Sequence, residues 1–362
     1  MPASEKDLPT GASRDIDTSL EPLLSAVQTN CHISDARHAG DYTMCVYLLK
    51  MREYYRWEVG EPFSAALPHA DISAWLTDRE RLWERLESES YIDLPVSGEQ
   101  HDPYAVDKIN KAINGKGWVY SGGIGRNAKP HFFLGRLKKS VTHNDYQLLV
   151  SGREYARDLT APPAMSLGKT IFIRRESLKR MLWEKIEEWQ WAKGQGAMSR
   201  TIACYDFEND SAQALDDITD NEMNSTLLHE IGEIQAREHL GSLWEELLLE
   251  LTHSRAEIMV RAVRDHLADT LSTLPGLIEN SNTASLHFYF ANLKGMRREL
   301  WPSLLGAYDN WLQTGDTDAL QKPLENSKIH WLELARSLLD LYGSHGGHCV
   351  KDMESLIQKN RL

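Results

Sequence analysis

Cysteine is scarce and poorly spaced for pairing: Cys31, Cys45, Cys204 and Cys349 include no Cys-x-x-Cys pair. That spacing excludes a disulfide framework and a ribbon-type zinc site, and it fits a reducing cytoplasm. Long apolar runs are missing as well. The longest, such as Met44–Leu49, falls far short of a membrane span. The start of the chain is polar, with no basic region leading into an apolar one, so no signal peptide is expected. Basic residues are outnumbered, 40 Lys and Arg against 53 Asp and Glu, and the formal charge of −13 disfavours general nucleic-acid binding. These absences predict a soluble cytoplasmic protein with neither nucleic acid nor membrane as a partner. They leave small molecules, metal ions and other proteins.

Hydrophobic residues make up 41% of the 362 residues, enough for a large core or for two domains. Periodicity predicts a mainly α protein, a multi-helix bundle with a small inserted antiparallel β module. Residues 1–17 read as a polar flexible tail and 18–100 as an N-terminal helical region. Residues 101–175 hold the β-rich module, in which "GWVYSGGIG", "HFFLGRL", "DYQLLVSG" and "KTIFIRR" alternate with Gly, Asn and Pro turns. Residues 176–223 read as a helix and an acidic connector. Residues 224–362 are helical throughout and are expected to pack on the N-terminal helices.

The stretch from Ile33 to Glu58 reads as a single helix, apolar on most sides, yet it carries charged groups. At 100° per residue Asp35, His38, Tyr42, Val46, Leu49 and Glu53 fall within one arc of roughly 80°. A buried carboxylate must be paired, coordinated or protonated. One reading pairs these acids with arginines such as Arg37, Arg52 or Arg56. The other projects Asp35, His38 and Glu53 into a polar site inside the bundle.

A second stretch, "LWEELLLELTHSRAEIMVRAVRDHLADTL", sets Glu246, Glu250, His253 and Glu257 along one helical face. A solvated face partnered by Arg261 and Arg264 is the plain reading. Glu250 and His253 also have the Glu-x-x-His spacing that brings carboxylate and imidazole onto one metal. In that motif the chain resembles the helical di-iron and di-manganese carboxylate proteins, the ferritin-like and haem-oxygenase-like groups. The resemblance implies further carboxylates and a second histidine, which Asp35, His38 and Glu53 would supply.

Other signals are weaker. His229 and Glu233 lie one turn apart but fit a salt-bridged surface. His345, His348 and Cys349 crowd a Gly-rich turn, where they would bind zinc or copper, with Cys31 or His32 as a distant fourth ligand. Cys349 would alternatively be a nucleophile activated by a helix N-terminus. "SGGIGRN" leads into a strand and so reads as a hairpin turn, not a phosphate loop. The Asp-rich run from Asp206 lacks the glycine and final glutamate of a calcium loop. "RNAKPHFFLGRLKKS" fits an anion site, a protein contact or a Lys-guarded strand edge.

Two functions follow from these readings. The first is a metal-dependent oxidase or oxygenase acting on a small organic substrate. Asp35, His38, Glu53, Glu250, His253 and Glu257 would hold iron or manganese, with Tyr42 supplying a proton or electron. A single zinc would instead favour hydrolysis. The second is a non-catalytic helical scaffold, its 11 tryptophans anchoring a protein partner.

Overall fold

Helix α1 (Glu21–His38) opens with the two residues best suited to a first turn, Glu21 and Pro22. In this computed structural model, which describes residues 20–125, 128–192 and 194–362, it is the central helix of the first of two units. The units are Met1–Glu184 and Lys185–Leu362. The fold is mainly α with a β module, as the periodicity predicts.

In the first unit, α1 is followed by α2 (Met44–Val59) and α3 (His69–Leu86). A short hairpin of β1 (Leu94–Val96) and β2 (Glu99–His101) and helix α4 (Val106–Ile113) lead into the main sheet. Its strands are β3 (Trp118–Ile124), β4 (Pro130–Thr142), β5 (Gln147–Arg157), β6 (Ala164–Leu167) and β7 (Thr170–Arg174). Their order is β3-β4-β5-β7-β6. All neighbours are antiparallel except β5 and β7, which are parallel. After β5 the chain runs out to the sheet edge as β6 and returns as β7, so residues 158–163 form a crossover turn. Helix α1 lies on β4 and β5, and α1, α4 and the sheet share one core through Val27, Cys31, Ile109, Trp118, Phe132 and Phe172. The β module therefore shares its core with the helices of this unit. It is the floor on which α1 packs.

The chain from Ile33 to Glu58 is not a single helix. Helix α1 ends at His38, a short 3-10 turn covers Ala39–Asp41, and α2 starts at Met44. Gly40, Asp41 and Thr43 favour turns and caps over helix interiors, and their run of signals outweighs the apolar periodicity. Asp35 and Glu53 therefore do not share one helical face.

In the second unit, α7 (Ser211–Leu240) begins inside the segment read as an acidic connector. Asp210 caps it by accepting from the Gln213 N–H at 3.0 Å. Helix α9 (Arg255–Ala268) sits centrally, against α7, α12 (Gly295–Leu300), α14 (Asp318–His345) and α15 (Val350–Lys359). A π turn at Asp269–Thr273 extends it. Gly232 lets α7 approach this point, because a Cβ there would stand 2.3 Å from the Ala268 carbonyl oxygen. Trp244, Trp301 and Trp331 are fully buried in this core. Together with Trp118 in the first unit, they fill interiors.

The expected continuous helix from 242 to 273 is also broken. Helix α8 (Leu243–Glu250) stops at Glu250, and His253 takes a left-handed φ of 64°. Ser254 accepts from the Glu257 N–H at 3.0 Å, while the Glu257 carboxylate accepts from the His253 N–H at 2.9 Å. Ser254 and Glu257 thus form a helix-start motif of the capping-box kind, which restarts the helix as α9. The Glu-x-x-His spacing straddles a chain break, and the stripe Glu246, Glu250, His253 and Glu257 is not one helical face.

Candidate acid–base site in the N-terminal unit

Three of the residues singled out in the sequence, Asp35, His38 and Tyr42, flank the α1–α2 break. The start of β4 and the crossover turn after β5 meet them there. Asp35 is fully buried. One carboxylate oxygen accepts from Lys129 Nζ at 2.8 Å and the other from the Leu159 N–H at 2.8 Å. Burial pushes the Asp35 carboxyl up to about 6, with Lys129 opposing and Asp158 adding to the rise. Burial works against the Lys129 ammonium, but Asp35 and Asp158 outweigh it and hold its pKa above the ordinary lysine value. The pair is ionised at neutral pH, with lysine in the place proposed for a metal.

Asp158 lies at the head of the crossover turn. Its Oδ1 accepts from the Ala161 N–H at 2.9 Å and faces His131 Nδ1 at 3.3 Å. Burial raises the Asp158 carboxyl, but His131, Lys129 and Arg174 outweigh it and hold it well below the usual carboxylate range. The contact to His131 lies off the hydrogen-bond axis, since Nδ1 has no aligned acceptor. The opposite ring nitrogen, Nε2, has no protein partner among the described residues. It faces Gly125, where a Cβ would come within 2.6 Å of it. The glycine keeps that nitrogen open.

Around this dyad stand further groups. The Tyr42 hydroxyl shares a 2.6 Å hydrogen bond with Thr160 Oγ1, and burial raises its pKa. His38 is half-buried, with Nδ1 3.2 Å from Asp41 Oδ2. Its pKa is lowered, chiefly by burial, against the opposing bond to Asp41. Arg180 of α5 (Arg175–Ala192) donates to the carbonyls of Thr160 and Ala161, each at 3.0 Å. Ala161 is held at a φ of 43° and Ala128, beside Lys129, at 54°. Left-handed alanines cost of order 1–3 kcal/mol each and cluster at functional sites. Both segments that carry the site are strained in this way.

The remaining predicted ligands lie elsewhere. Glu53 accepts from Arg52 Nε at 2.7 Å and Arg56 Nε at 3.1 Å, so arginine fills its surroundings. In the second unit Glu257 is paired with Arg261 at 2.9 Å, besides its bond to the His253 N–H. Glu250 is exposed and accepts from the Tyr342 hydroxyl at 2.6 Å. His345 and His348 are exposed, whereas Cys349 is buried and donates to the Gly346 carbonyl. Burial pushes the Cys349 thiol up, against the expectation of an activated nucleophile. Among the described residues no group of three or more His, Cys, Asp or Glu is arranged to hold a metal ion. His229, half-buried, contacts Glu233 at 3.9 Å and the buried Asp269 at 3.3 Å, which is also bonded to Tyr289 and Arg297.

Sequence reasoning missed Lys129, His131, Asp158 and Thr160. The signal was present in "AKPHFF", where Lys129 and His131 flank a proline at the entry to a buried strand. "ARDLTAPP" gave a second, an acidic turn that interrupts two apolar strands.

The fold and site thus define a two-unit chain with a buried acid–base cluster in its N-terminal half. The chain belongs to a family of unknown function (DUF6866), whose N-terminal domain matches residues 22–174 and C-terminal domain residues 179–360. This overturns the resemblance to ferritin-like and haem-oxygenase-like proteins, which rested on a Glu-x-x-His spacing that the fold splits. No curated protein and no solved structure matches the chain. Among the described residues no helix is long and apolar enough to cross a membrane.

Proposed function

We propose that the N-terminal unit is a proton-transfer enzyme acting on a small organic substrate, with His131 as general base. The observation that carries this reading is the buried Asp158–His131 contact at 3.3 Å with Nε2 left open. A carboxylate behind one ring nitrogen favours the proton there and leaves the other as acceptor. Covalent catalysis by a hydroxyl or thiol is disfavoured, because the neighbouring candidates are committed. Thr160 is bonded to Tyr42, Ser34 donates to the Pro130 carbonyl at 2.5 Å, and Cys31 donates to the Phe132 carbonyl. The base therefore acts on the substrate or on water directly. Tyr42 stands as the complementary acid, its proton retained at neutral pH. The metal-dependent oxidase reading is not favoured, because Asp35, Glu53 and Glu257 already have lysine or arginine counter-charges. The unpaired cysteines support a reducing, cytoplasmic setting.

The test is incubation of the protein in D2O with a mixture of small ketones, oxo acids and hydroxy acids, followed by mass spectrometry. At least one component should gain deuterium or be converted. The rate should fall by ~10²-fold or more in His131→Gln, within the range of general-base effects. Equal rates in the two proteins, or no change to any component with the native protein, would overturn the reading.

A further inference from the structure

The basic residues of this acidic chain are not spread evenly. Residues 103–153 carry nine Lys and Arg against two Asp, although the whole chain has a formal charge of −13. The fold gathers several of these cations at one edge of the main sheet. Strand β3 pairs with β4 from Trp118 opposite Arg136 to Ile124 opposite Pro130. One further bond, from the Leu137 N–H to the Gly117 carbonyl at 2.9 Å, closes that ladder. Before Gly117 the chain turns away through Asn114–Lys116, so Lys116 stands beside Lys138 at the ladder's end. From there β4 runs on to Thr142 with β5 along one side, and no strand lies along the other among the described residues. Lys138, Lys139, Ser140 and Thr142 on this bare stretch are exposed. Arg136 lies over the buried Trp118, its guanidinium carbon 4.1 Å from the ring centroid. Lys108 and Lys111 are exposed on α4, whose Ile109 and Ile113 face the core.

We infer that this edge of β4 is a docking site for an extended acidic segment of a protein partner, which adds as a strand beside residues 138–142. An unpaired strand edge offers backbone donors and acceptors to an incoming chain, and the side chains beside it set which chain is accepted. Lysine on a bare edge is also a common guard against such pairing, but one lysine serves that purpose. Here Lys116 and Lys138 lie side by side, an arrangement that costs stability because like charges on neighbouring strands repel. Lys108, Lys111, Lys116 and Lys138 form no ion pair among the described residues, and neither do the two acids of the stretch, Asp107 and Asp145. The positive charge of this edge is therefore left for a ligand. Carboxylates on every second residue of an added strand lie about 6.7 Å apart, the repeat of Arg136 and Lys138 along β4. Nucleic acid fits less well. Trp118 is 1% exposed, so its ring is no platform for single-stranded bases, and the acidic remainder of the chain repels a long polyanion.

Fluorescence anisotropy on the full chain tests this, with a labelled ten-residue peptide of alternating Glu and Thr and a ten-nucleotide oligothymidine as probes. The peptide should bind saturably with a Kd in the micromolar range at about 50 mM salt, and at least about fivefold more weakly at about 200 mM, as screening requires. Amide hydrogen exchange across residues 138–142 should slow in the bound state. Lys116→Glu combined with Lys138→Glu should weaken binding at least about tenfold, with folding checked by circular dichroism. Lys351→Glu, an exposed charge reversal in the C-terminal unit, should leave binding unchanged. Absence of saturable binding, or equal binding by the Lys116→Glu, Lys138→Glu protein, would overturn the inference. Peptide binding without slowed exchange at residues 138–142 would overturn strand addition. Tighter binding of oligothymidine than of the peptide would overturn the acidic-peptide assignment in favour of nucleic acid.

Discussion

Asp35 shows at residue scale how a buried charge is read from sequence and then reassigned by structure. A carboxylate sealed from water must find a counter-charge, and the helix that carries Asp35 has Arg37 nearby. Arg37 turns outward instead, to the carbonyls of Glu87 and Glu89. The partner is Lys129, 94 residues away along the chain. Removing one member of such a pair leaves a buried charge without compensation, at a cost of about 3–5 kcal/mol. Lys129→Met should therefore lose roughly that much in the N-terminal transition of a urea unfolding curve. The double substitution Lys129→Met with Asp35→Asn should recover much of the loss. A single substitution within ±0.5 kcal/mol of the native protein would contradict the ion-pair account.

At the scale of elements, periodicity identified apolar faces well and chain breaks poorly. The helices of the second unit and the strands from Trp118 to Arg174 were legible because each repeats its apolar positions over many residues. The breaks at Ala39–Thr43 and Leu251–Ser254 were written in short cues, Gly-Asp-x-Thr in one and Ser-x-x-Glu in the other. Apolar runs on both sides masked them. Both misplaced the candidate site, since a helix continued through Tyr42 aligns Asp35 with Glu53, and one continued through His253 aligns Glu250 with Glu257. Lys129, His131 and Asp158 could not be found from periodicity at all, because it is the packing of α1 on the start of β4 and on the crossover turn after β5 that brings their segments together. The Ser254 cap is directly testable. Ser254→Ala should cost about 1 kcal/mol of C-terminal stability, as lost helix caps do. Thermal unfolding within error of the native protein would mean that α9 starts without it.

For the whole molecule, the −13 charge and the acidic stripes suggested metal, but Asp35, Glu53 and Glu257 are matched by lysine or arginine within each unit. The excess acid lies on exposed positions such as Glu61, Glu80 and Glu87. Trp118, Trp244, Trp301 and Trp331 are spent in the two cores. In the N-terminal unit His131 Nε2 has no protein partner among the described residues, while the Tyr42 hydroxyl is bonded to Thr160. The account depends most on Asp158 holding the His131 ring so that Nε2 accepts a proton. Nitrogen-15 NMR of the histidine rings in the full chain measures this directly. The proton should reside on Nδ1, and Asp158→Asn should shift that preference. A proton on Nε2 in the native protein, or a ring signal unchanged by Asp158→Asn, would contradict the claim that this histidine is a poised base.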